Sequence, residues 1–170
     1  MKCLKYLSLI FIFFLEVSCT SIPDVNKQKI YIMVYDYQSK GIKDVEIKLD
    51  GQKVGCTDID GRYILTLADS EAENTISLNK EGYEPFEQKI NYEKDLLLYF
   101  KLADSNKYFT DAEKLLDENN YEKALFCIEK ALMIKKQDDY LYLKAIILEN
   151  MGSSEESSEI FKTIDEKYRE

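Results

Sequence analysis

The chain has 170 residues, enough for one ordinary domain or two small ones, with a net charge of −9 and no histidine. The missing histidine excludes Ser-His-Asp and Cys-His nucleophilic systems, histidine-containing zinc sites and imidazole acid–base chemistry, while enzymes that use only carboxylates remain possible. The acidic balance argues against nucleic acid as a partner, since a phosphate backbone calls for a basic face.

Lys2 and Lys5 precede the apolar run Leu7–Leu15, whose nine residues fit the core of a signal peptide. Nine residues are too few to cross a bilayer as a helix. The next stretch, Leu15-Glu16-Val17-Ser18-Cys19-Thr20, resembles a bacterial lipobox, with Glu16 where that pattern prefers leucine. The resemblance implies removal of residues 1–18, a palmitate-type lipid on Cys19, and attachment to a membrane of the bacterial cell envelope, facing the periplasm or the exterior. An ordinary cleaved signal peptide is the alternative. Loss of residues 1–18 leaves 21 basic against 31 acidic residues, a mature charge of −10. Residues 19–28 are short and mostly polar and read as the lipidated tether. Cys56 and Cys127 then remain, either as a disulfide in an oxidising compartment or as isolated small residues.

From residue 29 to 102 the apolar period is two. Ile30, Ile32 and Val34 alternate with Tyr31, Met33 and Tyr35; Val45, Ile47 and Leu49 alternate with Asp44, Glu46 and Lys48. Further short strands carry Val54, then Tyr63, Leu65 and Leu67, then Thr75–Leu78, Phe86–Ile90 and Leu96–Leu102. Asp50-Gly51 and Asp60-Gly61 separate such runs, and Asp-Gly in that setting predicts tight hairpins. About seven strands over this length predict a small seven-stranded antiparallel β-sandwich.

Thr57-Asp58-Ile59-Asp60-Gly61-Arg62-Tyr63 resembles the signature of carboxypeptidase regulatory-like domains, which are transthyretin-like sandwiches. Gly82-Tyr83 after a strand resembles the Gly-Tyr of those domains and of PEGA repeats. The resemblance implies a fold and an extracytoplasmic setting, and little chemistry. Asp58-Ile59-Asp60-Gly61 also invites a calcium-loop reading, but an EF-hand loop ends on a bidentate glutamate and here a strand follows. A turn built on aspartate fits better, and no metal is expected.

Beyond residue 102 the period becomes helical, with helices expected near 105–118, 121–134, 138–151 and 154–168. The chain matches itself here at an offset of 33 residues: Ala112 returns as Ala145, Leu115 as Leu148, Ala124 as Ser157, Ile128 as Phe161 and Ala131 as Ile164. Small residues at these places let paired helices approach, and the spacing resembles two tetratricopeptide repeats over 103–170. Asn120 is expected to cap the second helix, Ser153 with Glu156 to form a capping box, and Gly152 to end the third helix. Ten basic and sixteen acidic residues over 103–170 give a solvated acidic surface. The two segments, 29–102 and 103–170, are expected to be separate folding units that meet near Ala103-Asp104-Ser105.

The fold class expected is therefore α+β in two segments, a sandwich followed by an all-α helical-hairpin module. Phe109, Glu113 and Leu116 share one face of the first helix, and Tyr142, Ile146 and Glu149 the equivalent face of the third. By the repeat resemblance this is the concave, partner-binding side, covered by an unknown envelope protein or peptide, by the sandwich, or by a second copy of the chain. The function expected is a membrane-anchored, non-catalytic scaffolding lipoprotein without a cofactor. The alternative is glycan or cell-wall binding through Tyr83, Phe86, Tyr92 or Tyr99. Carboxylates such as Asp58, Asp60, Glu84 and Glu87 show no catalytic pairing that the sequence reveals.

Overall fold

A computed structural model describes residues 27–68, 73–91 and 96–169. The expected signal peptide, Cys19, nearly all of the tether and Tyr92 lie outside the described residues. Seven strands come first: β1 Lys27–Tyr35, β2 Glu46–Leu49, β3 Gln52–Cys56, β4 Arg62–Ala68, β5 Asn74–Asn79, β6 Phe86–Ile90 and β7 Leu96–Lys101. Four helices follow: α1 Ser105–Asp117, α2 Tyr121–Ile134, α3 Asp138–Asn150 and α4 Ser154–Lys167.

The strands form two sheets, ordered β4-β1-β7 and β3-β2-β5-β6. Alternation places the core as the sequence predicts. Ile30, Ile32 and Val34 of β1 are buried against Val45, Ile47, Ile76 and Leu78, with Leu65, Ile90 and Phe100 completing the cluster. The sandwich is not wholly antiparallel, however. Tyr31 pairs with Ile64 of antiparallel β4 and with Leu97 of parallel β7. A hairpin fixes the direction of a strand beside its predecessor, but β6 and β7 lie in different sheets. The crossover between them sets the direction of β7, and alternation carries no trace of it.

The two Asp-Gly pairs also part company. Asp50 and Gly51 both have positive φ, 48° and 79°, and close the β2–β3 hairpin as expected. Asp60-Gly61 closes no hairpin, because β3 and β4 belong to different sheets. Residues 57–61 form an arch between them instead. Asp58 Oδ1 accepts from the Asp60 and Arg62 amides at 2.9 and 2.8 Å, holding the turn. The buried Thr57 hydroxyl donates to the Ile42 carbonyl at 2.6 Å and accepts from the Val45 amide at 2.9 Å.

The helices repeat themselves with an offset of 33 at every boundary, α1 onto α3 and α2 onto α4. The turns repeat as well. Asn119 and Gly152 occupy equivalent places and both are left-handed, with φ of 57° and 83°. In each, the following amide reaches back to a leucine carbonyl, Asn120 to Leu115 at 2.8 Å and Ser153 to Leu148 at 2.9 Å. These are Schellman closures, and Gly152 ends α3 as expected. Ala112, Ala124, Ala145 and Ser157, the small residues of the offset, are all fully buried. The caps differ from expectation. Asn120 and Ser153 hold the N-cap positions of α2 and α4, but neither side chain makes a capping bond. The residue that does cap is Asp104, whose Oδ1 accepts from the Lys107 amide at 2.8 Å.

The junction between strands and helices is packed. Leu102 and Ala103 are buried, the Glu84 amide donates to the Ala103 carbonyl at 2.8 Å, and Tyr83 bridges Asp104.

Candidate functional site

The helical face that the sequence singles out is only partly available. Phe109 is half-buried, and its ring stacks on Tyr140 of α3 with centroids 4.9 Å apart. Leu116 is also half-buried and packs on the helical core, while Glu113 is exposed. The Phe109–Tyr140 stack joins the first unit to the second. In the second unit two of the three equivalent positions, Tyr142 and Glu149, are more open, and Ile146 is less open than Glu113. Tyr142, the equivalent of Phe109, is 54% exposed and touches Phe161 edge-on at 5.4 Å. Ile146 is half-buried and Glu149 exposed. Of the six positions, Glu113, Tyr142 and Glu149 are exposed, and Tyr142 is the one exposed aromatic among them. The outer side of α4 is polar, with Ser158 and Asp165 where α2 carries Leu125 and Leu132.

A second surface lies on the outer side of the three-stranded sheet. Ile64, Tyr31 and Leu97 form a row across β4, β1 and β7, and Arg62, Met33 and Tyr99 form the next. Tyr35 stacks on Tyr99 with centroids 5.3 Å apart. Ile64, Leu97 and Tyr99 are 55%, 60% and 52% exposed, so this is a contiguous apolar face and not a scatter of single side chains. A shallow cleft of ≈ 580 Å³ opens on it, its lining including Tyr31, Met33, Asp58, Arg62, Ile64 and Leu97. The sequence signal for this surface was the alternation in β1, where Tyr31, Met33 and Tyr35 make the second face apolar too.

Of the aromatics considered for glycan contact, Tyr83 is half-buried against the sandwich core and Phe86 packs on Phe100 at 5.2 Å. Tyr99 alone among the described ones stands in the open. The carboxylates are occupied singly. Asp58 holds the arch, and Glu87 accepts from the Ser77 hydroxyl at 3.1 Å. Glu84 receives the Tyr108 hydroxyl on one oxygen and the Lys130 ammonium on the other. Burial pushes the Glu84 carboxyl up, but the bonds from Lys130 and Tyr108 outweigh it and hold the group below its ordinary range. Burial and the bond to Glu84 push the Tyr108 phenol well above its ordinary value. Cys56 is exposed and Cys127 half-buried, both free, and burial raises the Cys127 thiol. Among the described residues, no group of three Cys, Asp or Glu side chains is placed to hold a metal ion.

The chain matches no family model and no curated protein. Among solved structures it is similar over 46% of its length to 60% of a 3-chlorocatechol 1,2-dioxygenase from Rhodococcus opacus, at 12% identity and a TM-score of 0.39. It is similar over 46% of its length to 17% of the Bacillus anthracis TIE protein, at 16% identity and a TM-score of 0.39. A streptococcal ancillary pilin is similar over 48% of this chain and 33% of its own, at 14% identity and a TM-score of 0.37. The chain thus spans 60% or less of these proteins. Likeness of this size does not place it in any of their families.

Proposed function

We propose that the chain is a lipid-anchored, non-catalytic interaction protein of the bacterial cell envelope. In this reading Cys19 carries the lipid, the sandwich stands at the membrane, and a protein or peptide partner lies along the free part of α3. The observation that supports it most is the asymmetry between Phe109 and Tyr142. Two rings sit at equivalent repeat positions; one is stacked on the next unit and the other is 54% exposed. An aromatic ring held open on a rigid helix is a good anchor for a partner, because little side-chain entropy is lost on binding. The polar outer side of α4 favours a segment lying on α3 over a third stacked unit. The resemblance to tetratricopeptide repeats points the same way, since their partners lie along the first helix of each unit.

The test is a Tyr142→Ser, Ile146→Ser variant, purified with wild type from the envelope membranes of the native host. The expected result is loss of a specific co-purifying protein with a fall in stability of about 1 kcal/mol or less, since neither side chain is fully buried. An unchanged set of co-purifying proteins overturns the reading. So does a collapse in melting temperature with no partner recovered from wild type.

A further inference from the structure

The outer face of the β4-β1-β7 sheet differs from the rest of the molecule in charge as well as in polarity. The chain carries 32 acidic residues in 170. The twenty-two residues of β1, β4 and β7 include not one of them. The charged side chains described on this face are Lys29, Arg62 and Lys101, all exposed and all basic. They stand around an apolar centre of Tyr31, Met33, Ile64, Leu97 and Tyr99. The opposite sheet is ordinary by comparison, with Glu46 and Glu87 in its strands. Among the described residues, one carboxylate, Asp58 of the arch, lines the cleft beside Arg62, and Asp60 of the same arch also acts on that guanidinium.

An apolar and tyrosine-rich centre with a basic border, on a protein of strong negative charge, is complementary to one kind of surface. Tyrosine rings settle at the level of lipid headgroups, aliphatic side chains enter the acyl boundary, and lysine and arginine meet anionic phosphates. Chain length agrees. Eight chain steps lead from Cys19 to Lys27, where β1 begins. Fully extended, they reach at most about 28 Å. A lipid on Cys19 therefore keeps the start of β1 close to the bilayer, and Tyr31 lies only four residues further on.

We propose that the outer face of the β4-β1-β7 sheet lies against an anionic phospholipid surface, the bilayer to which the chain is tethered. This rests on the lipid-anchor reading above. It adds an orientation: the sandwich lies down on the membrane through β1, β4 and β7. The second sheet then faces away from the lipid.

The chain has no tryptophan, so a single introduced indole reports without interference. Leu97→Trp places it at the centre of the face, and Met133→Trp, at an 82% exposed site on α2, places it elsewhere. Full-length acylated protein carrying either change is reconstituted in vesicles of phosphatidylcholine and phosphatidylglycerol, with or without brominated acyl chains. Quenching by brominated lipid of about twofold for Leu97→Trp, with little change for Met133→Trp, is the expected result. Ile64→Trp repeats the measurement if Leu97→Trp does not fold. Lys29→Glu, Arg62→Glu and Lys101→Glu together are expected to abolish the difference. Mass spectrometry of the same preparation separates the two readings. Lipid on Cys19 without preferential quenching at position 97 overturns the docking and leaves the anchor standing. An unlipidated Cys19 overturns the anchor, and the same vesicles added to that chain then decide the docking: no quenching at position 97 sinks it. A concentration-dependent crosslink between copies through this face, with no quenching, assigns it to self-association and overturns the proposal.

Discussion

Gly41 and Gly61 lie backbone against backbone where the arch returns to β1. A β-carbon on Gly61 would stand 2.9 Å from the Gly41 Cα and 2.2 Å from the Val34 carbonyl oxygen, and one on Gly41 would stand 2.3 Å from the Asp60 carbonyl oxygen. The approach lets the Val34 amide donate to the Gly61 carbonyl at 2.7 Å and the Ile42 amide to the Val34 carbonyl at 3.0 Å. Gly61 also has a φ of 75°. Strain and collision therefore add at Gly61, whereas Gly51, at φ 79°, has open space around it. Gly61→Ala is expected to cost about 3 kcal/mol or more, and Gly51→Ala about 1 kcal/mol, measured by urea unfolding. Equal costs for the two would show that the backbone contact contributes nothing.

Glu84 links the two halves of the molecule. It sits in the sandwich and receives bonds from Tyr108 of α1 and Lys130 of α2. Its folded-state carboxyl lies below the ordinary value of 4.5, so the stabilisation is complete above that value and disappears as pH falls through the lower, folded one. Glu84→Gln should therefore be less stable than wild type near neutral pH by about 1 kcal/mol, and the gap should close as pH falls below the ordinary carboxyl value and through the lower, folded one. A cycle with Lys130→Met should show a coupling of about 1 kcal/mol at neutral pH. A gap that stays constant with pH would place the effect in packing and not in the charge.

The helices were the most legible part of the sequence, and repetition is the reason. One unit tests the reading of the other, so positions such as Ala124 and Ser157, both fully buried, support each other although their residue types differ. The sandwich was less legible because alternation identifies a strand and its buried face but not its neighbour. It placed Ile30, Ile32 and Val34 inside, and could not show that Leu97 pairs in parallel with Tyr31. It read Asp60-Gly61 as a hairpin because the local chemistry is the same for an arch between sheets. The apolar outer sheet face was written in Tyr31, Met33 and Tyr35, yet only the assembled sheet brings Ile64, Leu97 and Tyr99 beside them. Phe109 and Tyr142 look alike in sequence; in the structure the first stacks on Tyr140 of α3, while the second meets only the edge of the Phe161 ring of α4 and stays exposed.

Thr57 fixes the loop between β1 and β2 from inside the sandwich. Its hydroxyl is both donor and acceptor, to the Ile42 carbonyl and from the Val45 amide. Thr57→Val keeps the shape and removes both bonds, leaving two backbone groups short of a partner in a buried place. The expected cost is about 2 kcal/mol, read as a lower urea midpoint with an unchanged slope. A neutral result would mean that the loop re-forms its bonds without the hydroxyl.

Ser157 runs the other way. It is fully buried in α4, and its hydroxyl has no hydrogen-bond partner among the described residues. Its repeat equivalent is Ala124, which is equally buried in α2. The site is thus already shaped for a methyl group, and the extra oxygen is removed from water with nothing to replace the lost bonds. Alanine also favours a helix interior over serine by a few tenths of a kcal/mol. Removing an uncompensated buried hydroxyl contributes about 1 kcal/mol more. Ser157→Ala is therefore expected to stabilise the protein by about 1 kcal/mol, raising the melting temperature by a few degrees, while Ala124→Ser destabilises it by a similar amount. The pair is informative together, because helix propensity alone would move both by much less. If Ser157→Ala lowers stability, the hydroxyl has a partner in solution, and the second unit is not the simple copy of the first that its backbone describes.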